Sequence, residues 1–378
     1  MPTSLSMPTP TSSTVLSPFL RYQQEISLAL RQAVAKASEA ALVADASAFR
    51  SYYGQMHYHL GWANAHFSPV QSHPGKLLRP TLLLLAYELA VAQGYANECI
   101  SHDLRRALPA AAAIELMHNF TLIHDDIEDG DTERRHRATL WKLWGVPQAI
   151  NTGDGMIFVA HLALWDVLSE GVENTLATRL AQVLDRALLM VTEGQYLDLT
   201  FENVEHISVA QYVDMIGRKT AALMSCAAEM GALLGSPNEA IIDSLRRFGW
   251  ALGIAFQIRD DILGVWGSIQ ELGKTAAGDI YRRKKSLPIL HALQTANQED
   301  LSVLHEIYQQ ENPVTLYQVG QVLTVFERTK TWTYCREFLA QQCQQARSTL
   351  ADVPHTNSSA TRAYMDVEML IRFLEETA

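Results

Sequence analysis

From Pro18 onward the chain reads as one helix after another: segments rich in Ala, Leu, Gln, Glu and Arg are punctuated by Pro and Gly at their junctions. Alternating β-branched runs, the mark of strands, are hard to find. The pattern predicts helices over about residues 19–43, 46–65, 79–94, 103–129, 146–169, 173–200, 208–234, 238–265, 280–294, 299–310, 314–348 and 358–376. Breaks fall at His73-Pro74-Gly75, Gly145-Val146-Pro147, Gly235-Ser236-Pro237 and Asn312-Pro313, and none is a long linker. The expectation is therefore an all-α fold in a single large helical domain, residues 19–378. Residues 1–18, mostly Ser, Thr and Pro without charge or a long apolar run, read as a disordered leader. The most apolar stretch, from Leu82 to Leu85, follows Arg79-Pro80 and soon meets Glu88, so it does not make a membrane span.

Against this apolar background stand two acidic clusters, Asp125-Asp126-Ile127-Glu128-Asp129 and Asp260-Asp261-Ile262-Leu263-Gly264. Carboxylates inside apolar stretches cost free energy unless a cation compensates them. Asp125 and Asp129 are four residues apart, on one helix face and about one turn from each other. That spacing suits Mg2+, a hard ion that prefers oxygen ligands. The clusters are too far apart in sequence for one loop, so two helices would have to face each other across a cavity, with a diphosphate as cargo.

Composition narrows the partners. At 378 residues with 48% hydrophobic content, the chain can bury a large core. A net charge of −11 argues against a nucleic-acid surface, so an anionic ligand must find local cations. Such cations exist. Arg134, Arg135 and Arg137 follow the first cluster, and guanidinium forks match phosphate oxygens. Lys76 and Arg79 flank a predicted helix start, where free N–H groups also favour an anion. Gln257 lies three residues before Asp260 on one broad helix face; Lys274, Asp279 and the run Arg282-Arg283-Lys284-Lys285 come after it, the run reading by itself as solvated. Cys99, Cys226, Cys335 and Cys343 form no CxxC pair and read as reduced packing residues of a cytoplasmic protein.

Taken together, these residues resemble the trans-polyprenyl diphosphate synthase family over nearly the whole chain from Pro18. The resemblance rests on ordered matches: GKLLR at Gly75, MHNFTLIHDDIED at Met117, RR at Arg134, GQYLD at Gly194, GRKTAAL at Gly217, FQIRDDILG at Phe256, GKTAAGD at Gly273 and RRKKSLP at Arg282. It implies an isoprenoid-synthase-type helical bundle around a deep central cavity, usually in a homodimer. It further implies that Asp125 and Asp129 hold two Mg2+ ions and Asp260 a third, with Asp126 and Asp261 supporting them. Arg134, Lys219 and Lys274 would contact the diphosphate of an allylic prenyl substrate, with Thr220 and Gln257 beside the reacting carbon. Lys76, Arg79, His118 and Arg135 would form a metal-free pocket for isopentenyl diphosphate.

The chain departs from the family pattern at Gly264, where many members carry an aspartate, and at His136 and Ala138, where glycine and proline are common. The loop changes are expected to matter little. An aromatic five residues before the first aspartate often closes the product tunnel in the family, and here that residue is Phe120. An ideal helix rotates Phe120 about 140° from Asp125, so this role comes from the resemblance and not from spacing. With small Thr121 beside it and Met117 a turn deeper, the combination resembles makers of the C20 product, geranylgeranyl diphosphate, more than C15 farnesyl diphosphate synthases. A terpene cyclase on the same fold would keep the aspartates but would not need Lys76, Arg79, His118 and Arg135.

Overall fold

Pairs of apolar faces at helical spacing can be buried only against other helices, and that is how the chain is built. The computed structural model describes residues 17–39, 46–70, 75–91, 103–267, 277–353 and 358–376. Nearly all regular structure in them is helical; the one sheet among the described residues is a two-stranded hairpin, Glu133–Arg134 against Arg137–Ala138. The expected leader lies outside the described residues except for Ser17 and Pro18, which open a short helix, Ser17–Leu20. The described residues group into two compact units, one from 1–184, 227–242 and 354–367, the other from 185–226, 243–353 and 368–378.

In the first unit the helix Leu108–Glu128 is the hub, packed by Gln23–Glu39, Leu78–Val91 and, most extensively, Val146–Trp165. Its alanines Ala110 to Ala113 let neighbours approach closely, and with Ile114, Leu116 and Met117 they are fully buried. Helix Leu78–Val91 is buried from Pro80 to Val91, which includes the carboxylate of Glu88. Arg21 answers that charge at 2.5 Å and reaches Asp366 of the helix Ser358–Glu376 at 2.5 Å. A buried carboxylate is tolerated there because it is paired. The predicted helix 46–65 stops at His59, because the chain turns at Gly61 with φ 78°.

In the second unit four expectations are corrected. The predicted helix 314–348 is two helices, Leu316–Arg328 and Thr331–Leu350, broken at Lys330 with φ 54°. Thr315 and Gln318 close a reciprocal capping box at the start of the first. The predicted helix 280–294 begins only at Leu287, with Pro288 in its first turn. Of the basic run before it, Arg282 and Lys284 are exposed, but Arg283 and Lys285 are not simply solvated. Lys285 Nζ donates to the carbonyls of Phe201 (3.0 Å), Glu202 (3.0 Å) and Val204 (2.6 Å), and Arg283 donates to those of Ile307 (3.0 Å) and Asn312. These cations bond carbonyls in the last turns of Asn174–Glu202 and Gln298–Gln309 and just past their ends. The predicted helix 208–234 is also interrupted: a π-helical segment, Gly217–Ala221, separates Val209–Ile216 from Ala222–Gly235. No described helix is long and apolar enough to cross a membrane.

Candidate active site

The first acidic cluster sits at the C-terminal end of helix Leu108–Glu128, with Asp129 as its C-cap, N–H bonded to the Asp125 carbonyl. The unpaired carbonyls of a helix C-terminus already carry partial negative charge, so carboxylates added there repel it and a cation is favoured. Asp125 is half-buried and Asp129 exposed, whereas Asp126 is buried and accepts from Arg134 Nε at 2.6 Å. Burial pushes the Asp126 carboxyl up, against the opposing pull of Arg134. Arg134 thus braces the acidic turn from the hairpin. Phe120, 6% exposed, lies edge-on to the His124 ring at 5.7 Å, Met117 is fully buried, and Thr121 donates to the His118 carbonyl at 2.8 Å.

The hairpin turn itself is strained in an instructive way. Its two central residues, Arg135 and His136, both adopt positive φ (52° and 60°), as a type I′ turn requires, without the Asn or Gly that usually fills such positions. Left-handed backbone costs an ordinary residue about 1–2 kcal/mol. The turn aims the Arg135 side chain back into the unit, against Gly75. A Cβ on Gly75 would lie 2.9 Å from an Arg135 guanidinium nitrogen, and Gly75 also needs its φ of 85°, so only glycine fits. Two motifs distant in sequence, Gly75-Lys76 to Arg79 and Arg134-Arg135, therefore meet.

Beneath them the buried carboxylate of Glu115 faces Arg79 and Arg135; burial pushes it up, while those two guanidiniums and the Asn119 amide pull it down. Burial, then Arg79, Arg135, Arg134 and His59, hold His118 well below the usual histidine range, so its ring is neutral. Arg79, His118 and Arg135 are brought together as expected, and Lys76 is exposed beside them at the chain's entry to helix Leu78–Val91. Sequence reasoning missed Glu115, Asn119 and His59. A glutamate three residues before His118 in an otherwise apolar helix was the available signal.

The second unit carries the other half of the predicted set. Asp260 is exposed and lies 3.6 Å from the guanidinium of Arg259, itself buried and stacked over Phe373 at 4.4 Å. Asp261 is buried under three donors, the Tyr212 hydroxyl, Gln257 Nε2 at 3.1 Å and the Leu287 N–H at 3.3 Å, with the Lys284 ammonium charge nearby. Burial nonetheless pushes its carboxyl up to about 6. Gln257 is held at both ends, since its Oε1 accepts from Thr220 Oγ1 at 3.0 Å. Thr220 and Lys219 belong to the π-helical segment, a kind of irregularity that recurs at functional sites, and Lys219 Nζ pairs with Asp198 at 2.6 Å. Lys274 lies outside the described residues.

Gly264 has a spatial explanation. A Cβ there would meet Asp279 Oδ2 at 2.4 Å, Cγ at 2.5 Å and Oδ1 at 2.9 Å. The space a side chain at 264 would need is already filled by the carboxylate of Asp279. Partial burial works against the charge of Lys284, but Asp261, Asp279 and Asp198 around it prevail and raise its affinity for a proton. Asp198 and Lys284 lie within the GQYLD and RRKKSLP matches, though no role was read for them there, and Tyr212 carried no signal in the sequence.

Among the described residues no three His, Cys, Asp or Glu side chains close into a cage that would bind a metal by themselves. The donor set fits Mg2+ of a particular kind. That ion keeps several waters and takes one or two carboxylates, with substrate phosphate oxygens completing the shell. Asp125 and Asp129, one turn apart at a negative helix end, offer such a partial set, and so does Asp260 near the end of Glu239–Trp266.

Residues 61–324 match the sequence model of the polyprenyl synthetase family. The (2E,6E)-farnesyl diphosphate synthase of Mycobacterium tuberculosis is 39% identical over 232 residues, 61% of this chain and 60% of that protein. The chain thus spans less than two thirds of that relative's length. The geranylgeranyl diphosphate synthase of the same organism is 38% identical over 262 residues, 69% of this chain and 71% of that protein. The crystal structure of a polyprenyl synthetase from Streptomyces coelicolor A3(2) superposes with a TM-score of 0.80 at 30% identity, covering 95% of this chain and 99% of that one.

Proposed function

The chain belongs to the polyprenyl synthetase family, and from that premise we propose that it condenses isopentenyl diphosphate with an allylic prenyl diphosphate. The observation that carries this reading is the anion pocket of the first unit: Arg79, His118 and Arg135, with Gly75 pressed on the Arg135 guanidinium and Glu115 holding the pocket's charge. A cyclase ionising one prenyl diphosphate has no use for a second, metal-free diphosphate site.

Three Mg2+ ions, on Asp125, Asp129 and Asp260, would supply the neutralising charge that makes diphosphate a good leaving group. The remaining work falls to the chain's own groups. Asp126 and Asp261, fixed by Arg134 and by Tyr212 and Gln257, hold the outer aspartates in place. Lys219, Lys274 and Arg134 would take the allylic diphosphate. The Gln257 amide, pinned by Thr220 and Asp261, keeps one lone pair of its oxygen available to an allylic cation. Lys76, Arg79, His118 and Arg135 would orient isopentenyl diphosphate so that its double bond attacks that cation. Loss of a proton, to the departed diphosphate, completes the addition of five carbons.

Phe120 as the floor of the product tunnel supports geranylgeranyl diphosphate, C20, as the main product, with farnesyl diphosphate, C15, as the alternative. A homodimer is supported by the stripe Phe158, Leu162 and Trp165 on helix Val146–Trp165, whose side chains are exposed by 68%, 58% and 42% at successive turns of one face.

The deciding experiment incubates the purified chain with labelled isopentenyl diphosphate and each allylic starter, with Mg2+ and with EDTA. Metal-dependent elongation to C20 is expected. A volatile hydrocarbon from a long prenyl diphosphate alone would overturn the elongase reading.

A further inference from the structure

His59 is the last residue of helix Ala46–His59, and the backbone on either side of it is clamped. Arg137 donates to the Tyr58 carbonyl at 2.9 Å and to that of Ala63 at 2.6 Å, its guanidinium lies 3.9 Å over the Tyr58 ring, and the Tyr58 hydroxyl donates to the Ala138 carbonyl at 2.8 Å. The Asn119 side chain lies beside the His59 ring. Asn119 Nδ2 donates to the Glu115 carbonyl at 2.8 Å and to its carboxylate at 3.0 Å, so the amide oxygen is what faces the ring. A ring nitrogen meeting that oxygen would have to carry the hydrogen, since an amide oxygen only accepts. Of the two ring nitrogens, Nε2 is buried and has no hydrogen-bond partner among the described residues.

With the ring hydrogen on Nδ1, that Nε2 is a bare lone pair. Such an atom is rare in a folded chain and asks for an explanation. The charges of the hairpin residues Arg135, Arg134 and Arg137 act on the ring; Asn119 bonds to Glu115, and the charges of Arg79, Arg135 and Arg134 act on His118 of the same helix. Burial first, then the three arginines, push His59 down to about 3, so the ring is uncharged at neutral pH. A diphosphate seated on Arg79 and Arg135 would reverse the sign of the local potential, because several negative charges would then oppose those guanidiniums at short range in a medium of low dielectric.

We propose that His59 is the proton-accepting positioning residue of the isopentenyl diphosphate pocket: its buried Nε2 takes a proton from solvent as the diphosphate binds. Charged, the ring adds one more cation beneath the anion. Through Asn119 it steadies Glu115, and through Glu115 the two guanidiniums, Arg79 and Arg135, that meet the substrate. The inference rests on the pocket proposed above and adds to it a member that the sequence did not mark.

The test is calorimetric titration of the full chain with isopentenyl diphosphate, without allylic starter and with EDTA, at neutral pH in two buffers of low and high ionisation enthalpy. The wild type is expected to take up about 0.5–1 more proton per site than His59→Gln, which keeps a polar side chain but cannot charge. Between pH 6 and pH 8 the wild-type Kd should weaken at least about threefold more than that of the variant. Equal proton uptake in the two proteins overturns the proposal. Should His59→Gln fail to fold, 15N-histidine spectra of the wild type decide: one ring must pass from neutral to doubly protonated on adding isopentenyl diphosphate, and its loss in His59→Asn assigns it. No charging ring sinks the idea. Failure of the pocket itself looks different, since Arg79→Ala would then bind isopentenyl diphosphate as tightly as the wild type, or no binding would occur at all.

Discussion

Restoring the family's aspartate at position 264 should damage this protein. A Cβ at 264 falls 2.4 Å from Asp279 Oδ2 and 2.5 Å from its Cγ, roughly 1 Å inside ordinary contact. Asp279 has little room to yield: it is 5% exposed, and its Oδ1 accepts from Arg282 at 3.1 Å. Overpacking of this kind costs about 1–3 kcal/mol, while replacing a helical glycine returns about 1 kcal/mol, so Gly264→Ala should lose about 0–2 kcal/mol. Gly264→Asp adds a carboxylate beside Asp279 and one turn from Asp260 and Asp261. At an effective dielectric near 20, one such repulsion reaches about 4 kcal/mol at contact, and a total loss of about 2–5 kcal/mol follows once the side chains relax. Thermal unfolding without metal should show a fall of roughly 5–15 °C for Gly264→Asp and much less for Gly264→Ala. The double variant Gly264→Asp with Asp279→Gly, which vacates the space, should recover part of the loss, a coupling that a double-mutant cycle measures. The reasoning is refuted if Gly264→Asp alone melts with the wild type and turns over at least as fast.

Two further outcomes are expected. Phe120→Ala should lengthen the prenyl products, read by chromatography after dephosphorylation, and cost about 3–5 kcal/mol of stability because Phe120 is buried; unchanged chain lengths in a folded variant would remove it from the tunnel floor. Acid should weaken the fold earlier than carboxylate titration alone would allow. His59 is pushed down to about 3 in the folded chain, so below the ordinary histidine value of about 6.5 the unfolded chain binds more protons and stability falls with falling pH. Between pH 7 and pH 5 this group contributes a loss of about 2 kcal/mol, with His118 acting in the same direction, and denaturant titrations of wild type and His59→Gln should converge by that amount.

The sequence made the helical class plain because amphipathic periodicity is a local property, and the aspartate and arginine motifs stood out because charge inside an apolar run has to be explained. What escaped was set by distance in space. Lys285 and Arg283 read as part of a solvated run, yet they close off carbonyls 81–84 and 24–29 residues away along the chain. The break at Lys330 has no Gly or Pro to announce it. The Arg135–His136 turn, with neither Asn nor Gly, was passed over as a minor loop change, although it is what brings Arg135 to Gly75. Glu115 and His59 were missed for the same reason: each looks like an ordinary residue of its own helix until Arg79, Arg135 and Asn119 are placed around it.

The widened turn at Gly217–Ala221 has a consequence for how this chain can change over time. An α-helix absorbs substitutions readily, but a π turn holds one residue more than the α-helical turn it replaces, so its length acts as a phase setting. Excision of any one of those five residues would let the run from Val209 to Gly235 wind uniformly, and by doing so would swing everything upstream by about 100° relative to everything downstream. The hydroxyl of Thr220 and the ammonium of Lys219 could not both keep their present partners after such a rotation. Lineages carrying this segment are therefore free to vary its letters, within packing limits, and much less free to vary its count.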